Sequence, residues 1–320
     1  MGTTQSGPAS GPPGREPDAV ASERRHLINI AYRLLGSLAE AEDAVQDAFA
    51  RWYAMPDDRR AAIESPAAWL TTVTSRICLD LLGSARARRE RYTGEWLPEP
   101  LPELAEQGAG LAGVAPRDPA DRVTLDESVG MAFLVMLESM TPAERVSFIL
   151  HDVFRYSFAE VAEITGRTPA ACRQLASSAR RRIRDAQPPA ATATSAATAI
   201  RQAVIVADFK RAWEAGDIAA LIGLLDPGAT FTADGGGLVS AARRPITGSK
   251  RIARYLAGLA RPVPGLTFLE RTVNGQPGLI TQRDGVTVTV FAFDIAAGGI
   301  THIWAVRNPD KLRPWTAEDQ

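Results

Sequence analysis

Three groups of residues along this 320-residue chain have types and spacings that could do chemistry. The first runs from Thr168 to Arg184. Thr168, Arg173, Gln174 and Ser177 come first, and Arg180, Arg181 and Arg184 follow. Arginine and glutamine can pair bidentately with guanine and adenine edges, and arginines also bind phosphate oxygens. The second is Arg86, Arg88 and Arg89, a basic cluster closing a long apolar run. Such a cluster complements a helix C-terminus and can also bind phosphate. The third is Asp234, followed by Gly235, Gly236 and Gly237. A carboxylate in a dry site can move protons. Glycines beside it let backbone approach closely.

The first group needs a helix presented to solvent, and the segment from Ser157 to Arg184 supplies one as the second half of a helix-turn-helix. Phe158, Val161 and Ala162, then Leu175 and Ile183, form two apolar stripes at helical spacing. Gly166 marks the break, where a turn needs positive φ. Thr168-Pro169 then reads as an N-cap with proline at the first helical position. Polar groups on the early turns and arginines behind are the layout of a recognition helix. The alternative is a helical hairpin with a solvated basic end.

Length implies two or three domains. The formal net charge is −1, so the chain as a whole is no polycation, and arginine is instead concentrated at helix ends. Lysine occurs only at positions 210, 250 and 311. Cys78, Cys172, His26, His151 and His302 are scattered, without metal-ligand spacing, so no metal or other cofactor is expected. No apolar run is long enough to span a bilayer and no signal-peptide core is visible, which points to the cytoplasm. The first six residues fit a myristoylation pattern too short to carry weight.

In chain order, residues 1–21 read as a disordered tail. Residues 22–91 read as a helical domain, its stripes carried by Leu27, Ile30, Leu34, Val45, Phe49, Trp69 and Ile77, with a loop at Pro56 to Arg60. Residues 92–120 are proline-rich and form an extended linker. Within it Trp96, Leu97, Pro98, Glu99, Pro100 and Leu101 are too apolar for a free tether and are expected to dock. Residues 121–186 are helical again, with Thr141 to Glu144 as a capping-box helix start. A low-complexity linker spans 187–198. Residues 199–313 combine helices with an antiparallel sheet in a small α+β domain, and 314–320 form a tail.

The first half, roughly Ser22 to Ala186, resembles an extracytoplasmic-function sigma factor of bacterial RNA polymerase. HLINIAYRLLGSLAEAEDAVQDAFARWYA resembles the core-binding part of region two, SPAAWLTTVTSRICLDLL the part that reads the −10 element, and the helix-turn-helix region four, which reads the −35 element. WLPEPL, DGGG at Asp234 to Gly237 and NPDKL at Asn308 to Leu312 together resemble the sigma-J-like group. Those proteins carry a cone-shaped SnoaL-like domain of the nuclear-transport-factor-2 superfamily. Gly83 stands where arginine is usual, and Leu238 where a basic residue is common.

The resemblance implies core-polymerase contacts at Asp43, Gln46, Asp47 and Phe49. It implies −10 contacts at Trp69, Arg76 and Asp80, joined by Arg86, Arg88 and Arg89, with a flipped base held by residues 57–64. It places the Thr168 to Arg184 set on the −35 element. Asp234 falls near the general base of the ketosteroid isomerases in the same superfamily, whereas the positions of the oxyanion-hole donors fall on Phe209 and near Thr289. The expected role of the C-terminal domain is therefore regulatory. Asp234, the three glycines and the segment Asn308, Pro309, Asp310, Lys311 and Leu312 would pack near the linker. There they would tune whether the DNA-reading domains open onto polymerase, with a small ligand as a possible modulator. Two alternatives differ in class. One is an isomerase- or cyclase-type enzyme fused to a DNA-binding module; the other is a repressor that never touches polymerase, for which the AEDAVQDAF segment would serve no purpose.

Overall fold

A computed structural model describes residues 16–89, 92, 94–102, 130–186, 196–259, 265–296 and 299–316. The expected N-terminal tail up to residue 15, the linker beyond Pro102, the expected helical start at 121–129 and the low-complexity stretch 187–195 lie outside the described residues.

The first helical unit contains α1 (Glu16–Leu35), α2 (Leu38–Tyr53), α3 (Asp57–Ala61) and α4 (Pro66–Arg89). Helix α1 begins six residues before the expected start of folding. Ser37 caps α2, accepting from the Glu40 amide. The expected loop after Pro56 is instead one helical turn, α3. Two aspartates open it, two arginines close it, and Arg60 pairs with Asp57, an arrangement that suits the helix dipole.

The second unit contains α5 (Met131–Glu138), α6 (Pro142–Phe148), a π-helical turn (Ile149–Val153), α7 (Phe158–Thr165) and α8 (Pro169–Ala186). Thr141 and Glu144 form the capping box that their spacing predicts. Gly166 ends α7 at φ 64°, and Thr168 caps α8 through the Ala171 amide at 3.2 Å. The π-turn has no signal in the hydrophobic pattern. The two units share one apolar core, in which Leu27, Leu34 and Val45 join Leu134, Val146 and Val161.

The C-terminal unit is α+β. Helices α9 (Ala196–Glu214) and α10 (Ile218–Leu224) precede β1 (Leu225–Asp234) and β2 (Ile246–Thr247). Helix α11 (Ser249–Leu259) follows, then β3 (Leu266–Val273), β4 (Gln276–Arg283), β5 (Val286–Ala296) and β6 (Gly299–Val306). A 3-10 turn (Pro309–Lys311) and α12 (Arg313–Thr316) close it. The sheet order is β2-β1-β6-β5-β4-β3. The sheet is mixed rather than purely antiparallel, because β1 pairs with β6 in parallel. Such a pair needs a long crossover, which α11 and the β3–β5 meander provide. The hairpin turn at Asn274-Gly275 has positive φ at both residues, as a tight two-residue turn requires.

Strand alternation gives the sheet two apolar faces. Phe231, Phe291, Phe293 and Ile303 pack under α9 and α11 with Phe209, Trp213 and Ile252. Their neighbours Val290, Ala292, Trp304 and Val306 point the other way. That second face is covered by Leu97 of the linker, Met131 of α5, and Leu312 and Trp315. The second helical unit is therefore docked on the C-terminal sheet through Met131, and the first reaches it through the hydrogen bond from Asn274 to Tyr32. The expected tail from residue 314 is corrected here: Trp315 is buried, and its indole donates to the Pro100 carbonyl at 2.8 Å.

Candidate nucleic-acid interface and linker clasp

Helix α8 turns its small residues inward, with Cys172, Ala176 and Ala179 fully buried. This leaves Arg173, Gln174, Ser177, Arg181 and Arg184 exposed on the opposite side, with exposed Thr168 at the N-cap. Arg180 is half-buried and differs from the rest: it forms a bidentate pair with Asp152 of the π-turn at 2.7 and 3.4 Å. Arg182 lies 3.5 Å from Glu144, which also accepts from Ser178 at 2.7 Å. These pairs fix α8 against α6 and the π-turn. Arg173 has an aromatic neighbour, its guanidinium lying 5.2 Å from the Phe158 ring centre.

On α2, Asp43, Gln46 and Asp47 are exposed in a row, and Asp47 pairs with Arg51 at 2.8 Å. Phe49 is half-buried and stacks on the exposed Tyr53. On α4, Trp69 is wedged against Trp52, 5.3 Å between centres, and Asp80 is exposed. Arg86, Arg88 and Arg89 fall on the last turns of α4, with their side chains outside the described residues. Arg76 donates to the Glu163 carbonyl of α7 at 2.7 Å. One face of α4 is thus occupied by the second helical unit.

Beside the apolar core that the two units share, the packing carries a polar patch. Thr71, Thr74 and Ser75 are buried on α4 and Ser147 on α6, and the hydroxyls of Thr74, Ser75 and Ser147 have no hydrogen-bond partner among the described residues. Tyr156 meets His26 at 3.3 Å and Thr71 at 3.2 Å. Phe154 packs edge-on to His26 and under Arg33. Burial pulls the His26 imidazole below its usual value; Glu23 opposes this and Arg33 adds to it. Arg145, buried on α6, donates to the Leu34 carbonyl at the end of α1 at 2.9 Å and to Glu138 at 2.7 Å. Burial lowers its guanidinium to about 10, so it stays charged at neutral pH.

The linker residues Tyr92 and 94–102 run between the first helical unit and the sheet, and both sides hold them. Toward the sheet, the carboxylate of Asp234, at 0 % exposure, accepts from Tyr92 Oη at 2.6 Å, Leu97 N at 3.0 Å, Gly236 N at 2.9 Å and Lys311 Nζ at 2.7 Å. Lys311 also donates to the Leu97 carbonyl, and its ammonium lies 4.1 Å from the Trp96 ring centre. Burial, then the Asp234 carboxylate, push the Tyr92 phenol up, so it stays a donor. Asn308 donates to Tyr92 Oη at 3.0 Å. A side chain at Gly236 would collide with Asn308, its Cβ only 2.5 Å from Cγ. Leu101 exchanges hydrogen bonds with Asn274 at 3.2 and 2.8 Å. Toward the first unit, Glu99 lies at the start of α2. Its carboxylate accepts from Ser37 Oγ at 3.1 Å and Leu38 N at 2.8 Å, its amide donates to the Gly36 carbonyl, and its carbonyl accepts from Tyr32.

The structure joins Trp96, Leu97, Glu99 and Pro100 with Asp234, Gly236, Asn308, Lys311 and Leu312 in one clasp. Pro98 faces Gly36. Gly235 is closed in by the Val239 carbonyl and Gly237 takes φ 71°. Asp310 points outward, paired with Arg313 at 2.9 Å, and Pro309 only shapes the turn. The clasp members that the sequence reading missed are Tyr32, Tyr92, Asn274 and Trp315. Asn274-Gly275 is a strong hairpin signal, but no sequence pattern reveals that the Asn274 side chain reaches Tyr32 at 2.8 Å.

Two positions of the isomerase-like reading, Asp234 and Phe209, lie on opposite sides of the sheet. Phe209 and Phe293 meet on the helix-covered face. Asp234 points to the opposite face, and four donors already hold its carboxylate.

Comparison with known proteins follows the same division. The family description Sigma-70 region 2 matches residues 19–88, and Sigma-70, region 4 matches residues 130–183. The chain is 40% identical over 299 residues to the ECF RNA polymerase sigma factor SigJ of Mycobacterium tuberculosis, covering 90% of each chain. It is 36% identical over 306 residues to the probable ECF RNA polymerase sigma factor SigI of the same species, covering 94% of this chain and 96% of that one. The crystal structure of Mycobacterium tuberculosis SigJ superimposes with a TM-score of 0.70 at 36% identity, over 93% of this chain and 99% of that chain. The chain belongs to the extracytoplasmic-function RNA polymerase sigma factors, which bind core RNA polymerase and direct it to promoters.

Proposed function

We propose that this sigma factor is held in a closed state by its own C-terminal domain and opens when it engages polymerase and promoter. In that reading α2 meets core polymerase through Asp43, Gln46, Asp47 and Phe49. Helix α4 reads the −10 element with Trp69, Arg76, Asp80 and the arginines behind. Helix α8 reads the −35 element with Thr168, Arg173, Gln174, Ser177, Arg181 and Arg184, while Arg180 holds the helix in place. Residues 199–316 act as a SnoaL-like regulatory domain rather than as an enzyme, and the protein works in the cytoplasm beside the chromosome.

The observation that carries this is the packing of α4 directly on α7. Elements named for positions −10 and −35 lie about 25 base pairs apart, roughly 85 Å of straight duplex at 3.4 Å per step. Helices that share a hydrogen bond from Arg76 to Glu163 cannot occupy both elements. The hydroxyls on α4 and α6 that are buried without partners among the described residues are costly, which fits helices made to separate.

The test is transcription by core polymerase with the full chain and with a version ending near Gln187. Output from promoters carrying matched −35 and −10 elements should rise in the shortened version. Equal output from both versions would remove the regulatory role. Failure of both to bind core polymerase would remove the polymerase contacts assigned to α2.

A further inference from the structure

Arg173 is held differently from Arg180 and Arg182 of the same helix. Among the described residues, Arg180 and Arg182 have carboxylate partners, whereas Arg173 lies over an aromatic ring. The difference matters chemically. A carboxylate neutralises a guanidinium and occupies its N–H donors. A ring face attracts the charge and leaves the in-plane donors free for another acceptor. An arginine so held is ordered before it meets a base, which reduces the ordering cost of binding.

The ring itself is well fixed. Phe158 is the first residue of α7, just after Ser157, and Ser157 and Glu160 form a reciprocal capping box, with Ser157 N bonded to Glu160 at 2.7 Å and Glu160 N to Ser157 Oγ at 3.3 Å. His151 stacks on Phe158 with centres 3.8 Å apart and planes 25° from parallel. The imidazole is fixed in turn: Nδ1 lies 2.8 Å from the Tyr156 carbonyl, which can only accept, so Nδ1 carries the hydrogen. His151 sits inside the π-turn, and π-turns recur at functional sites.

We propose that Phe158 is a positioning residue for promoter reading. Its ring, stacked with His151, presets the Arg173 guanidinium for a hydrogen-bonding base edge, guanine being the natural partner. This rests on the assignment of α8 as the −35 reader. The test uses the full chain with core polymerase and a series of −35 promoters, each changed at one base pair. Arg173→Ala identifies the positions at which Arg173 discriminates. Phe158→Tyr, which keeps the ring, should reproduce the wild-type profile. Phe158→Leu should lose about two- to fivefold in discrimination at the Arg173 positions and nowhere else. A fluorinated phenylalanine at 158 keeps the ring's shape but weakens its negative face; it should behave like leucine, which covers the case of a leucine variant that folds poorly. A wild-type profile in both ring-weakened variants, with Arg173→Ala impaired, overturns the positioning role. So does an equal loss at every promoter position. An unchanged profile for Arg173→Ala overturns the assignment of Arg173 itself.

Discussion

Asp234 and Lys311 show how much of a site residue types can announce. The glycines after Asp234 and the NPDKL segment marked both residues from sequence, and the structure brings them to 2.7 Å. The sequence could not say that Asp234 points away from the domain interior. Strand parity decides that, and parity is readable only once the strand's register against β6 is known. Both charges are buried, so each depends on the other. Removing one partner of a buried pair costs about 3–5 kcal/mol, because a lone charge remains. Asp234→Ala should therefore lower the urea-measured stability of the full chain by that order and raise transcription from matched promoters. An unchanged midpoint with unchanged output would show that the clasp holds nothing shut.

At the scale of elements, the linker was legible as extended and as docking, because prolines exclude helix and its apolar residues exclude a free tether. Its partners were not legible: Glu99 meets Leu38 across 61 positions and Leu97 meets Asp234 across 137. The helix-turn-helix was fully legible, since its signals are local caps and a turn glycine. The parallel β1–β6 pairing was not, since it depends on where the meander returns. Two predictions belong here. Glu99 acts as a second cap on α2, and losing a cap costs about 1 kcal/mol. Glu99→Ala should therefore loosen the linker and raise output severalfold. Burial raises the Glu99 carboxyl above its usual 4.5, against hydrogen bonds from Leu38 and Ser37. Protonation of Glu99 thus adds to docking below 4.5, and that added part is lost as pH rises through the docked value, leaving the cap hydrogen bonds to the carboxylate. Glu99→Gln, neutral at every pH, should dock more tightly than wild type at pH 7 and lower output. Opposite signs for the two variants in one transcription assay are the check.

His26 works in the other direction at the contact between the two helical units. Its buried value lies below 6.5, so its contribution is present above pH 6.5 and lost as pH falls through the buried value. A pair of dyes on α2 and α8 should report separation on acidification, and His26→Gln should flatten that response. A wild-type response in the variant would assign the effect to another group.

For the whole molecule, three units share two interfaces of different character. The sheet face under Leu97, Met131 and Trp315 is apolar, like a domain core. The seam between the helical units shares an apolar core too, with Leu70 and Cys78 beside Val161 and Ile164, but it also carries buried hydroxyls, the half-buried His26 and two buried arginines. Polar groups are exposed at less cost than apolar ones, so opening should begin at the polar patch around Thr71, Tyr156 and His26. The linker's ties to the sheet outnumber those to α2, so it should leave with the C-terminal domain.

The position of Lys311 has a consequence in time. The second helical unit is complete at Ala186, and the cation that closes the clasp is synthesised 125 residues later, from 186 to 311. At about 5–20 residues per second that interval is roughly 6–25 s. Every new chain therefore passes through a period on the ribosome when α4 and α8 have been made and Lys311 has not. A polymerase met in that period needs no opening step. Under the closed state proposed above, the fraction of this sigma factor that escapes restraint would be set partly by how fast the residues after position 186 are translated, and slow codons there would act as an activator.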